Sequence, residues 1–275
     1  MGVVKRALGV AIDFMKESGF KNRHNELAFG VGLSAAAPPL KIDAGNGSSV
    51  LLEGKVDRID AYIDETACYV SIIDYKSSKQ SLDLSEIYHG LKLQLMLYLE
   101  VATTHGEMLF GRVTKPFGAF YYKVDEPTLD ANAPEFNLVK AFKLEGLCLQ
   151  DEALLEVMDP ALREAGQGSL LKAKKNTDGG IKKDAQLLGE GELELTMAFA
   201  KEKAKRIATA IFDGEIAIAP VGGAVQACTY CKYRAICQFD SKKKRQHFRE
   251  PQELKQEEAL KKMQEVVLCR GPQNS

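Results

Sequence analysis

The sequence predicts an α/β fold: a mixed central sheet with helices packed on it. Three observations predict it. Two apolar, β-branched runs follow one another between residues 50 and 77. A capped amphipathic helix comes next, and another strand follows that helix. With the segments that precede them, the order is helix–strand–strand–strand–helix–strand, which is a mixed α/β order.

The elements follow from local pattern. Val3 to Ser18 is expected to be helical, with Val4, Leu8, Ile12 and Met15 on one stripe and Gly19 closing it. Glu26 to Phe29 is a short strand. Ala35 to Leu40 and Gly45 to Ser49 read as loop because of Pro38-Pro39 and Gly45-Asn46-Gly47. Val50 to Ile63 reads as one long strand, with Gly54 marking a bulge or a close approach. Cys68 to Ser77 is apolar on both faces around Ile72-Ile73, as a central strand should be.

A helix over Leu84 to Thr103 is predicted next. Asp83 is its N-cap, Glu86 completes a capping-box-like pair, and Leu84, Ile87, Leu91, Leu95 and Leu99 form its stripe. Phe117 to Val124 is a strand and Asp125 to Pro134 a polar loop. Phe136 to Phe142 and Glu152 to Met158 are short helices. Gly166 to Gly191, rich in Lys, Gly and Asp, is expected to be a mobile surface insertion. Leu193 to Phe212 is a helix ended by Asp213-Gly214, and Glu253 to Glu265 is a charged helix in the tail.

The chain has 275 residues, enough to bury a full core. Its formal net charge of −1 excludes a uniformly basic surface, so any nucleic-acid contact must come from a local patch. No apolar run is long enough to span a bilayer, and the N-terminus lacks a cleavage-site pattern. Three of the six cysteines cluster at Cys228, Cys231 and Cys237, which points to metal binding in a reducing, cytoplasmic compartment.

The chemistry concentrates in Gly54-Lys55-Val56-Asp57-Arg58-Ile59-Asp60 and Ser71-Ile72-Ile73-Asp74-Tyr75-Lys76-Ser77-Ser78. Alternation along a strand puts Asp74 and Lys76 on one face. If the two runs pair antiparallel, Asp57 stands beside them. Two carboxylates can hold a divalent cation such as Mg²⁺, the backbone carbonyl of Tyr75 can add an oxygen, and Lys76 lies near the attacking water. That is the equipment of metal-dependent phosphodiester hydrolysis. Asp-x-Lys alone is common and reads as solvated charge on a strand end. Gln94 and Tyr98 share a helix face at i, i+4, and alone they read as a helix surface with a half-buried tyrosine. Cys-x-x-Cys followed by a third cysteine after five residues is a strong ligand pattern, with free thiols or a zinc knuckle as the other readings.

Taken in order, these motifs resemble the C-terminal nuclease region of the AddB subunits of bacterial AddAB helicase–nucleases. They are Gly-x-Val-Asp-Arg-Ile-Asp, Ile-Ile-Asp-Tyr-Lys-Ser-Ser, the Leu82–Leu99 stretch containing Gln-x-x-x-Tyr, and Ala-Cys-x-Tyr-Cys-x-Tyr-Arg-x-x-Cys-Gln-Phe-Asp. The broader family is the RecB-like branch of the PD-(D/E)XK superfamily, with a restriction-endonuclease-like core. The resemblance runs from about Glu26 to Asp240. It implies active-site roles for Asp57, Asp74 and Lys76, DNA and site positioning by Gln94 and Tyr98, and a C-terminal iron–sulfur element. In that element Cys228, Cys231 and Cys237 are three of four thiolates on a [4Fe–4S] cluster. It also implies DNA as substrate, an AddA-type helicase subunit as partner, and cutting of the 5′-terminated strand in double-strand-break resection.

The family's fourth cluster ligand and a His-bearing helix precede the core, and neither is found in this sequence. A C-terminal fragment lacking the helicase-like part, or a split gene product, is therefore expected. Two other readings are a stand-alone 5′-exonuclease with a similar cysteine tail and a non-catalytic DNA-end clamp. Glu26 is a candidate glutamate near the metal. Cys68, Cys148 and Cys269 match no ligand, and Cys68 and Cys148 read as buried thiols. The expected organisation is 1–25 helix and linker, 26–165 nuclease core, 166–191 insertion, 192–240 helix and cysteine loop, and 241–275 charged tail.

Overall fold

The computed structural model describes residues 9, 12–45, 47–78, 80–124, 143–184, 186–222, 228–229, 231–243 and 246–268. Its strands are β1 (Lys21–Phe29), β2 (Leu40–Gly45), β3 (Ser48–Leu52), β4 (Gly54–Ile63), β5 (Cys68–Lys76), β6 (Thr114–Lys123), β7 (Glu145–Leu149) and β8 (Leu187–Leu188). Its helices are α1 (Leu84–Tyr88), α2 (Gln94–Thr104), α3 (Gly106–Phe110), α4 (Glu152–Met158), α5 (Ala161–Ala165), α6 (Glu190–Phe212), α7 (Arg234–Cys237) and α8 (Gln256–Leu268). Residues 12–17 are also helical.

One six-stranded sheet runs in the order β1-β4-β5-β6-β7-β8, and β2 and β3 form a separate hairpin. The large sheet is mixed: β4 is antiparallel to β1 and β5, whereas β5 and β6 are parallel. β5 lies inside the sheet, and Val70 to Asp74 are buried without a break, which accounts for its apolar composition. Helix α2 packs on β5 and β6, α6 on α2 and on β2, and α8 on α6 and α1. No described helix is long and apolar enough to cross a membrane.

The structure differs from the sequence reading at several boundaries. β1 starts at Lys21 rather than Glu26; it is an edge strand, and its polar Lys-Asn-Arg-His-Asn-Glu run faces largely outward. The expected long strand from Val50 splits at Glu53 into β3 and β4. A Cβ on Gly54 would come within 2.8 Å of the Phe29 ring, so the glycine permits that ring to lie on the start of β4. β2 (Leu40–Gly45) lies between the two stretches read as loop and β3 begins at Ser48, inside the second; positive φ at Gly45 and Gly47 suits a tight hairpin.

The predicted helix over Leu84 to Thr103 is two helices. Gly90 adopts φ +78° between them, and Leu91, placed on the apolar stripe, is exposed. At the N-terminus Ile12 and Met15 are exposed, and Phe14 is the residue packed inward. The segment expected to be a mobile insertion is tied to the core. Leu170, Leu171 and Ala173 are buried there, Asp159 accepts hydrogen bonds from the Leu170 and Leu171 N–H groups, and β8 joins the sheet. The tail is anchored too, through buried Leu254, Ala259, Leu260 and Met263. Phe136 to Phe142, Asp125 to Pro134 and Cys269 lie outside the described residues.

Cys68 and Cys148 are buried, as the sequence predicted. Burial pushes both thiols up, Cys148 to about 12. Thiolate is the reactive form, so brief alkylation of the native protein at neutral pH should modify Cys228, Cys231 and Cys237 well before these two. Peptide mass mapping checks this; early labelling of Cys148 would mean that β7 opens readily.

Candidate active site

The pairing of β4 with β5 builds the site. Their ladder ends at Arg58 opposite Ile73, so the next positions outward are Asp57 and Asp74. Antiparallel neighbours point to the same side. The motif Val-Asp-Arg-Ile-Asp is thereby divided between two faces: Asp57 goes with Asp74 and Lys76, whereas Arg58 and Asp60 go to the other side.

Asp74 is 4% exposed, and its Oδ2 is buried with no hydrogen-bond donor in favourable geometry among the described residues. Lys76 Nζ lies 2.6 Å from that oxygen, an ion contact without the angles of a hydrogen bond. Burial pushes the Asp74 carboxyl above its ordinary range; Lys76 pulls it back and Asp57 adds to the rise. Asp57 is half-buried, and its Oδ2 accepts the Tyr75 backbone N–H at 3.0 Å. Hard oxygen atoms with open lone pairs, one of them buried and underbonded, fit a divalent cation such as Mg²⁺.

On the same side of the sheet, Tyr121 of β6 stands opposite Asp74 in the parallel register. Lys76 Nζ lies 5.6 Å from the centre of its ring and Lys92 Nζ 5.8 Å. Burial, with Asp74 and Glu86 adding, pushes the phenol up to about 12, so it remains protonated at neutral pH. Lys92 pairs with Glu86 at 3.1 Å and donates to the Ser81 carbonyl at 2.5 Å. Glu86 sits in the first turn of α1, where Asp83 caps its N–H at 2.8 Å as predicted. Sequence reasoning missed Tyr121 and Lys92. The register of β6 against β5 would have found the tyrosine.

Gln94 and Tyr98 do share a face of α2: Gln94 Nε2 donates to the Tyr98 hydroxyl at 2.8 Å. The Tyr98 ring meets Phe29 edge-on at 5.6 Å, and both flank Gly54, three residues before Asp57. Glu26 lies between Asn25 and Leu27, which pair with Arg58 and Val56, but its carboxylate turns to Lys55 at 2.8 Å on the surface. Its φ of 51° is left-handed. Glu26 is thus not gathered with Asp74.

On the opposite face, Arg58 and Asp60 form a bidentate pair at 2.7 and 2.5 Å. Their side chains are 4% and 0% exposed, so the pair is an interior one.

Cys228, Cys231 and Cys237 line one cavity of about 270 Å³ with Arg234, Phe239 and Phe248. Among the described residues, however, no three His, Cys, Asp or Glu side chains come together closely enough to hold a metal ion. The short helix α7 in this loop buries none of its residues. The three thiols as placed do not fit a complete [4Fe–4S] site; metal ligation normally draws such a loop together as it folds.

A mixed sheet that sets Asp57 beside Asp74-x-Lys76 where the β4–β5 ladder ends has the site of a nuclease class. Residues 3–238 match the family model of the PD-(D/E)XK nuclease superfamily, and the chain belongs to that superfamily. It is 33% identical over 274 residues to the B subunit of the ATP-dependent helicase/deoxyribonuclease of Bacillus thuringiensis (strain Al Hakam), covering 96% of this chain and 23% of that protein. Its identity to the corresponding protein of Bacillus cereus (strain G9842) is 32%, with the same coverage. The chain is an AddB-like nuclease region and spans under a quarter of the length of these curated relatives.

Proposed function

We propose that the chain is a Mg²⁺-dependent DNA nuclease module of an AddAB-type helicase–nuclease. It works with an AddA-type helicase subunit and cuts the 5′-terminated strand during double-strand-break resection. The observation that carries the reading is the underbonded Asp74 Oδ2 beside Lys76, with Asp57 at the adjoining position of β4.

In this reading Asp57, Asp74 and the Tyr75 carbonyl would hold the cation. When bound, Mg²⁺ neutralises developing phosphate charge and lowers the pKa of a water. Lys76 steadies negative charge as an ammonium, which has three donors and no acceptor. It can take the water's proton only after giving up one of its own. Gln94 and Tyr98, locked to each other, would guide the strand toward Asp57. The test is cutting of end-labelled single-stranded DNA with Mg²⁺ and with chelator. Cleavage that persists in excess chelator would sink the metal-dependent reading, and no cleavage in the assembled enzyme would sink the nuclease reading.

For the cysteine loop, support for an iron–sulfur cluster rests on the shared cavity and the spacing. Three thiolates leave a four-iron cluster one ligand short. Anaerobic reconstitution of this chain should therefore load iron well below a full cluster, read by iron analysis and visible absorption. A complete, air-stable cluster would mean that Cys68, Cys148 or Cys269 supplies the fourth thiolate.

A further inference from the structure

Lys76 reaches its place along a flexible four-carbon stem, so something must hold its ammonium. Its ion contact is Asp74 Oδ2, the oxygen that a cation would claim. A tether that is shared with the metal weakens when the metal is bound. The ring of Tyr121 is not consumed in this way. It is buried to 6% exposure, it is fixed in the middle of the sheet by the pairing of β6 with β5 and β7, and it faces the same side as Asp74. A second ammonium, that of Lys92, also lies over the ring, with Glu86 and Ser81 balancing its charge and fixing its position. A neutral aromatic ring attracts cations through its face, most strongly where water is excluded.

We propose that Tyr121 is the positioning residue of this site. Its ring is the platform that keeps the Lys76 ammonium beside the Asp57–Asp74 pair, a role that rests on the nuclease reading above. The ring, rather than the hydroxyl, carries the role. Lys92, clamped to the loop before α1, holds the second cation position and ties that loop to the platform.

The test compares Tyr121→Phe and Tyr121→Leu in the full chain and in its assembled enzyme. Two quantities are read: the single-turnover cleavage rate at saturating DNA, and the NMR shifts of the Lys76 side-chain methylenes in metal-free protein. Tyr121→Phe keeps the ring, so its rate should stay within about threefold of the parent, with the Lys76 shifts unchanged. Tyr121→Leu should lose roughly tenfold or more in rate with little change in DNA affinity, and the Lys76 methylenes should lose their ring-current displacement. Should Tyr121→Leu not fold, Tyr121→Met serves with the same expectations.

A leucine or methionine variant with parental rate and parental Lys76 shifts overturns the proposal. So does a phenylalanine variant that falls as far as leucine, since the hydroxyl would then be the working group. If the parent itself cuts no DNA, the nuclease reading fails, and the Lys76 shifts still decide whether the ring holds the ammonium.

Discussion

Replacing Asp74 by alanine is expected to abolish Mg²⁺-dependent cleavage in the assembled enzyme while the fold survives. The loss should be on the order of a thousandfold or more, about 4 kcal/mol of transition-state stabilisation. Asp74 is the most buried of the site's charged groups, and among the described residues the Lys76 ammonium at 2.6 Å is what its buried Oδ2 meets. Removing it would take away a proposed cation ligand and also the partner of Lys76. The fold should tolerate the change, because burial already opposes the charged form of this carboxyl. Single-turnover cleavage with circular dichroism as the control decides the matter. A variant that cuts at near-parental rate removes Asp74 from the site.

The largest effect on stability is expected on the other face of the sheet. Asp60→Ala leaves the Arg58 guanidinium buried without its bidentate partner; among the described residues the Tyr75 hydroxyl at 3.4 Å and the Phe14 ring at 5.8 Å remain. Breaking a buried pair from one side typically costs about 3–5 kcal/mol. The double replacement Arg58→Met with Asp60→Leu removes both charges and should recover most of that loss. Denaturant unfolding of the single and double variants tests this. If Asp60→Ala lowers stability by less than about 1 kcal/mol, Arg58 finds water or another anion and the pair is not a true interior one.

The central strand and the grouping of Asp57, Asp74 and Lys76 were legible because they depend on two-residue alternation and on one antiparallel pairing. The N-cap at Asp83 was legible for a similar reason: its signal is local. What escaped depended on partners distant in sequence. Nothing in Thr114–Lys123 marks Tyr121 as more than a core aromatic until β6 is set in register against β5. β7 and β8 are too short to announce themselves and exist because the sheet's far edge needs pairing. The split between α1 and α2 rests on one glycine inside an otherwise good helical pattern, where the pattern outweighed the breaker. The mobility expected of residues 166–191 rested on their charge content. Leu170, Leu171, Ala173, Leu187 and Leu188 of this segment are buried, and Asp159 satisfies the backbone at Leu170 and Leu171.

Helix α8 and the residues before it bind α1 directly. Ser85 Oγ accepts the Leu254 N–H at 3.0 Å, and His89 Nε2 lies 2.8 Å from the Gln252 carbonyl oxygen. Since α1 also carries Glu86, which anchors Lys92, the C-terminal helix is linked through α1 to the face that bears the candidate site. Fraying of α8 would then be felt as lost rigidity around Tyr121, and α1 amides would exchange with solvent in step with those of α8 rather than with the strands. Whatever grips the C-terminal helix thereby acquires leverage over how firmly the two lysines are held.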